Sequence, residues 1–143
     1  MKILYGARMC RYDLLRAVAY LATCVTRWTR QCDEDLFQLI CYINTTAHYK
    51  QLNWVGDEAK EMHLKVFGDA DFAGCARTQR STSGVCTMMC GPSTRYMLSA
   101  LSKRQTAVSH STPEAEIIAA ALALRTEALP QMTILLDWLD PLM

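Results

Sequence analysis

The stretch "SHSTPEAEIIAAALALRTEAL", Ser109 to Leu129, constrains this chain more than any other part of it. Ser111 or Thr112 can supply the capping oxygen at a helix start. Pro113 suits the first turn, where a backbone N–H has no intrahelical partner, and Glu114 puts negative charge at the positive end of the helix dipole. The body that follows is apolar on nearly all sides, with Ile117, Ile118, Leu122 and Leu124 set among alanines. A helix of that kind predicts burial against a sheet. Pro130 is expected to break it, because proline lacks the N–H and crowds the preceding turn. "MTILLDWLD" then forms a last apolar segment.

The sheet to receive this helix lies just upstream. "HLKVFGDAD", "STSGVCTMMCG" and "TRYMLSALSKRQTAVS" are short runs of β-branched and apolar residues separated by Gly and Pro punctuation. They predict a meander of about three strands. The first part of the chain has a different period. Leu14, Val18, Leu21, Val25 and Trp28 repeat at helical spacing. Leu36, Leu39, Ile40 and Ile43 form a second stripe behind the acidic opening "CDEDL". The two are expected to pair as a helical hairpin. The division expected is a helical segment over 1–60 and a sheet-and-helix domain over 61–143, an α/β chain overall.

Composition fits this plan. Of 143 residues, 51% are hydrophobic and 20% charged, with a formal net charge of +1, which is globular and carries no strong overall field. The charges are unevenly spread. From Phe72 to Thr112 there is no acid, while Arg77, Arg80, Arg95, Lys103 and Arg104 are present. A solvated basic face and an anionic partner such as a phosphate backbone are both open readings. Seven scattered cysteines read as reduced thiols, with Cys86 and Cys90 as core residues rather than zinc ligands. Arg16 and Arg27 interrupt the apolar stretch near the start, and Ala17 to Thr26 is too short to span a bilayer. The expectation is an intracellular protein, cytoplasmic or nuclear, without a membrane partner.

Within "VFGDADFAG", Asp69 and Asp71 stand two apart, so both point to one side if the strand persists through them. Glu114 and Glu116 are roughly 200° apart around a helix and cannot share that site. One helix glutamate beside one or two strand aspartates would suit Mg²⁺, a hard ion that prefers oxygen ligands. Glu114 as a capping residue and Glu116 as a solvated one is the alternative.

The blocks "DADFAG", "RSTSG", "SKRQTAVS" and "STPEAEIIAA" resemble, in order and spacing, the ribonuclease H domain of copia-type retrotransposon polyproteins. That family reads "S-D-A-D-W-A-G", "R-(K/R)-S-T-S-G", "S-K-(K/R)-Q" and "S-(T/S)-x-E-A-E-(Y/F)-x-A". Upstream, "CRYDLLRAV" and "LICYI" resemble "T-R-P-D-I-x-x-A-V" and "R-(I/V)-L-R-Y-L", from the end of the reverse transcriptase. The resemblance implies a ribonuclease H-like fold. It also implies cleavage of the RNA strand of an RNA–DNA hybrid by a pair of Mg²⁺ ions. Asp69 matches the first-strand aspartate that holds both metals, and Glu116 the helix carboxylate. Asp71 is a motif residue and a possible accessory. Arg80, Lys103 and Arg104 lie on or beside motif blocks, where they could meet phosphates of a nucleic acid.

The departures matter as much. The family's third and fourth carboxylates sit in "(C/E)-D-N-Q-(S/A)-A" and near "R-(T/S)-K-H-I-D". Neither block occurs in this sequence, and Asp137 and Asp140 lack their context. The polymerase's "Y-x-D-D" is absent as well. The expectation is a truncated ribonuclease H-like fold, a three-strand meander plus helix behind a helical hairpin, with weak metal binding and negligible catalysis. A non-catalytic nucleic-acid-binding remnant is the alternative function, and a helical interaction module the third. A first strand with no neighbour on one side would also be expected to self-associate through that edge.

Overall fold

The computed structural model describes residues 2–75 and 78–139, without the side chains of Trp138 and Leu139. Contacts divide the chain into two compact units, Met1–Gln51 and Leu52–Met143.

The first unit is helical. α1 (Lys2–Met9) leads through a 3₁₀ turn at Tyr12–Leu14 into α2 (Leu15–Cys24), and α3 (Arg30–Thr45) returns after a second turn at Val25–Arg27. The expected stripe is buried at Leu14, Val18 and Leu21, but Val25 is exposed because α2 tightens into that turn before reaching it. On α3 the inward residues are Cys32, Leu36, Leu39 and Ile43, and Ile40 turns outward. Thr29, whose side chain accepts from the backbone N–H of Cys32, starts α3 ahead of the acidic cluster.

Arg11 and Asp13 of "CRYD" join α1 and α2 to the end of α3. The Arg11 guanidinium donates to both Asp13 oxygens at 3.0 and 2.8 Å, and to the Thr46 hydroxyl and carbonyl at 2.7 and 3.3 Å. The Tyr42 hydroxyl donates to Asp13 at 3.1 Å. This places side-chain partners on a helix end whose carbonyls have none within the helix. The guanidinium hydrogen bond holds the Asp13 carboxyl below its ordinary value of 3.8, against the opposing effect of burial. A depressed carboxylate stabilises the fold above the unfolded-state value and loses that contribution as pH falls through the folded value. Melting of the first unit is therefore expected to drop on acidification below about pH 4, and to drop less in Asp13→Asn. Equal acid limbs for the two chains by circular dichroism would contradict this.

In the second unit, β1 (His63–Asp71), β2 (Thr82–Cys90) and β3 (Arg95–Arg104) form an antiparallel meander in the order β1-β2-β3. This is the expected sheet, preceded by the expected helices. The compact unit that holds it starts before the expected residue 61, at Leu52, because 52–57 belong with the sheet. Trp54 pairs with Arg95, Asn53 Oδ1 accepts from the Met97 amide at 3.1 Å, and the Asp57 carboxylate takes the Ser93 amide at 3.0 and 2.8 Å. Gly91 is needed at that clasp, since a Cβ there would run into the Asp57 carboxylate.

α4 (Thr112–Ala123) covers one face of the sheet, capped as the sequence implies. The Ser111 hydroxyl accepts from the Glu114 amide, and the Glu114 carboxylate accepts from the His110 amide at 2.7 Å. Two further expectations need correction. The helix meets the sheet through its alanines, Ala115, Ala119 and Ala123, all buried, while Ile117 and Leu124 are 69% and 54% exposed. Small residues every fourth position let the backbones approach; Ile117 and Leu124 are left on the outer face, and Ile118 and Leu122 are half-buried. Nor does Pro130 end the helix. A π-helical turn, Leu124–Ala128, carries it into α5 (Leu129–Leu139), with the Leu129 amide reaching back to the Leu124 carbonyl. The wider turn accommodates an imide nitrogen that cannot take part in the usual ladder.

Candidate functional site

Strand alternation fixes which way the β1 acids point. A Cβ built on Gly68 would lie 3.6 Å from Ala119 O, Ala120 Cα and Ala123 Cβ, so the even positions of β1 face α4. β1 persists through Asp71, and Asp69 and Asp71 therefore share the opposite face, where both are exposed. The register sets Asp69 against Gly84 and Asp71 against Thr82, and Thr82 in turn against Arg104. Asp71 is taken up by its own turn. Its carboxylate folds over Gly74, where a Cβ would overlap it.

Glu116 follows Ala115 on α4 and is half-buried. It lies one turn before Ala119 and Ala120, which pack on Gly68 of β1. Among the described residues no group of three or more His, Cys, Asp or Glu side chains converges as a metal site. Two carboxylates do not by themselves fit a pair of Mg²⁺ ions.

The basic residues collect at the same end of the sheet. Arg80 stands half-buried just before β2, and Lys103 and Arg104 close β3, exposed and half-buried respectively. Ser83 pairs with Lys103, and Thr82 with Arg104. Among the described residues none of these three forms an ion pair, nor does Asp69 or Glu116. Arg77 and Asp140 lie outside the described residues.

What brings the sequence blocks together is a buried polar network that reading for charge had missed. Gln105 of "SKRQ" donates from Nε2 to the Ser83 hydroxyl of "RSTSG" and to the Ala115 carbonyl of "TPEAE", each at 3.0 Å. Its Oε1 accepts from the Ser109 hydroxyl at 3.0 Å, and its amide donates to the Ser81 carbonyl at 2.8 Å. The Ser81 hydroxyl accepts from the amide of Ala73 in "ADFAG" at 3.1 Å. That bond holds Ala73 at φ 51°, a left-handed conformation that costs an L residue about 1–2 kcal/mol. Ser81, Ser83, Gln105 and Ser109 are all buried. Buried polar atoms need partners, and here the four blocks supply them to one another. A second network lies under the π-helical turn: the Ser99 hydroxyl donates to Glu127 at 2.6 Å and sits 2.8 Å from the Thr87 hydroxyl. The only sequence signal for either was polar side chains at positions where a strand should face its core.

No described helix is long and apolar enough to cross a membrane. A 63-residue stretch, 43% of the chain, is 41% identical to an uncharacterised mitochondrial protein of Arabidopsis thaliana and covers 24% of it. The chain thus spans about a quarter of the length of the curated relative it matches. No family model matches the chain, and no solved structure does.

Proposed function

We propose that Leu52–Met143 is the meander-and-helix part of a ribonuclease H-like domain from a copia-type retroelement polyprotein, and that Met1–Gln51 derives from the end of its reverse transcriptase. Asp69 and Glu116 are then the carboxylates inherited from a two-metal, hybrid-cleaving site, with Asp71 serving its turn. The observation that carries this reading is the Gln105 network. It joins the four blocks that resemble the family and does so around the end of the Asp69 strand. The blocks with the other two carboxylates do not occur in this sequence. The 143-residue chain therefore acts as a nucleic-acid-binding remnant without measurable cleavage.

Binding rests on Arg80, Lys103 and Arg104 beside the sheet end, which form no ion pair among the described residues. An RNA–DNA hybrid should bind weakly, with affinity falling about tenfold or more between ~50 and ~200 mM salt as counterion release is lost. Fluorescence anisotropy checks this. A triple Arg80→Ala, Lys103→Ala, Arg104→Ala chain that stays folded and binds equally well at every salt concentration would remove the basis for the interface.

Self-association belongs to the same reading. No described strand pairs with the outer edge of β1, where Lys65 is the only strongly basic or acidic side chain before Asp69 and Phe67 is 51% exposed. Such an edge is a template for pairing with a second copy unless charge or a covering element protects it. We expect dimers or larger species that dissociate in Phe67→Lys. A monodisperse wild-type monomer by light scattering would contradict this.

A further inference from the structure

The seam between α2 and α3 holds a groove that the nucleic-acid reading does not use. Leu14, Ala17 and Leu21 recur at helical spacing on one side of it, and Asp35, Leu39 and Tyr42 on the other. Leu14, Leu21 and Leu39 are buried and make its floor. Ala17 stands between two leucines with only a methyl group, and the seam stays open there. Tyr20 and Tyr42, 46% and 41% exposed, also line it. The hollow has a volume of about 380 Å³, at the lower end of the range for small-ligand sites.

Its charge is one-sided. Among the described residues that line it are two acids, Asp13 and Asp35, and no lysine, arginine or histidine. Asp13 is already met by the Arg11 guanidinium, and takes the Tyr42 hydroxyl as well. Asp35 is not met in this way. It is half-buried on α3, accepts from the Gln31 side chain at 3.1 Å, and forms no ion pair among the described residues. A second hollow at the start of α3 makes the contrast. It is lined by Arg30 with Asp33, Glu34 and Phe37, and Arg30 pairs with Glu34 at 3.4 Å.

We propose that the α2–α3 groove binds a small organic cation, an ammonium carried on an apolar or aromatic body. The ammonium donates to the Asp35 carboxylate, and its body covers Leu14, Leu21 and Leu39 between the two tyrosines. A carboxylate partly withdrawn from water is stabilised by a hydrogen-bonded counter-charge, and tyrosine rings attract cations electrostatically. Arg11, 6.0 Å from the centre of the Tyr42 ring, is a cation that the fold already places in this manner. A neutral ligand of the same shape gains the floor but not the carboxylate.

Phenethylamine, a cation at neutral pH, and phenethyl alcohol, its neutral counterpart, test this on the full chain by NMR titration. The methyl signals of Ala17, Leu21 and Leu39 should shift saturably with either probe. The amine should bind about three- to tenfold more tightly than the alcohol. Asp35→Asn should remove that difference by weakening the amine alone. Ala17→Leu should fill the groove and abolish both responses, with helix content by circular dichroism unchanged. Shifts that never saturate, equal affinity of the wild type for the two probes, or a difference that survives Asp35→Asn would overturn the proposal. So would undiminished binding by a folded Ala17→Leu chain.

Discussion

Replacing Gln105 by alanine is expected to destabilise the Leu52–Met143 unit by about 2–4 kcal/mol, a large share of the stability of a small domain. The side chain is 6% exposed and serves three partners at once. Its loss leaves the Ser83 and Ser109 hydroxyls and the Ala115 carbonyl buried with fewer partners, and each such group costs about 1–3 kcal/mol. Gln105→Glu should not rescue, because a carboxylate cannot donate to Ser83 and Ala115 together. Lys103→Ala, two residues away and exposed, should cost under about 0.5 kcal/mol. Urea unfolding with amide exchange of β2 reads both. Similar stabilities for Gln105→Ala and Lys103→Ala would show that the network does not hold the blocks together.

That network also shows where reading the sequence stops. The start of α4 was legible because its signals are local: Ser111, Pro113 and Glu114 act within one turn. The meander was legible for the same reason, since Gly91, Pro92 and the alternation in β1 belong to contiguous residues. The sheet-facing side of α4 was not. A stripe search follows large side chains, and here Ile117 is outside while Ala119 is inside. Pro130 misled because its effect depends on the π-helical turn ahead of it, and that turn is set by packing that puts Glu127 over Ser99. The site was half legible. Period-two spacing correctly puts Asp69 and Asp71 on one side of β1, but only the Gly68 contact shows that this side faces away from α4. Gln105 reads as an ordinary surface residue until Ser83, Ser109 and Ala115 are seen around it.

The largest functional effect expected is the difference between no cleavage and cleavage. Two-metal hydrolysis needs carboxylates that hold both ions against the attacking and leaving oxygens. This chain offers Asp69 and Glu116, and among the described residues no cluster of three ligands. Loss of the metal clamp removes most of the rate, so the 143-residue chain should leave an RNA–DNA hybrid intact in either Mg²⁺ or Mn²⁺.

The most direct test is a gain-of-function assay on that hybrid. A segment bearing the two family carboxylates is appended after Met143, and cleavage is followed on a labelled RNA strand. The account predicts divalent-dependent cleavage by the extended chain, lost again in Asp69→Asn and in Glu116→Gln, with folding of each variant verified by circular dichroism. Cleavage that survives both substitutions, a folded extended chain that binds hybrid without cutting it, or robust cleavage by the original 143 residues would contradict it.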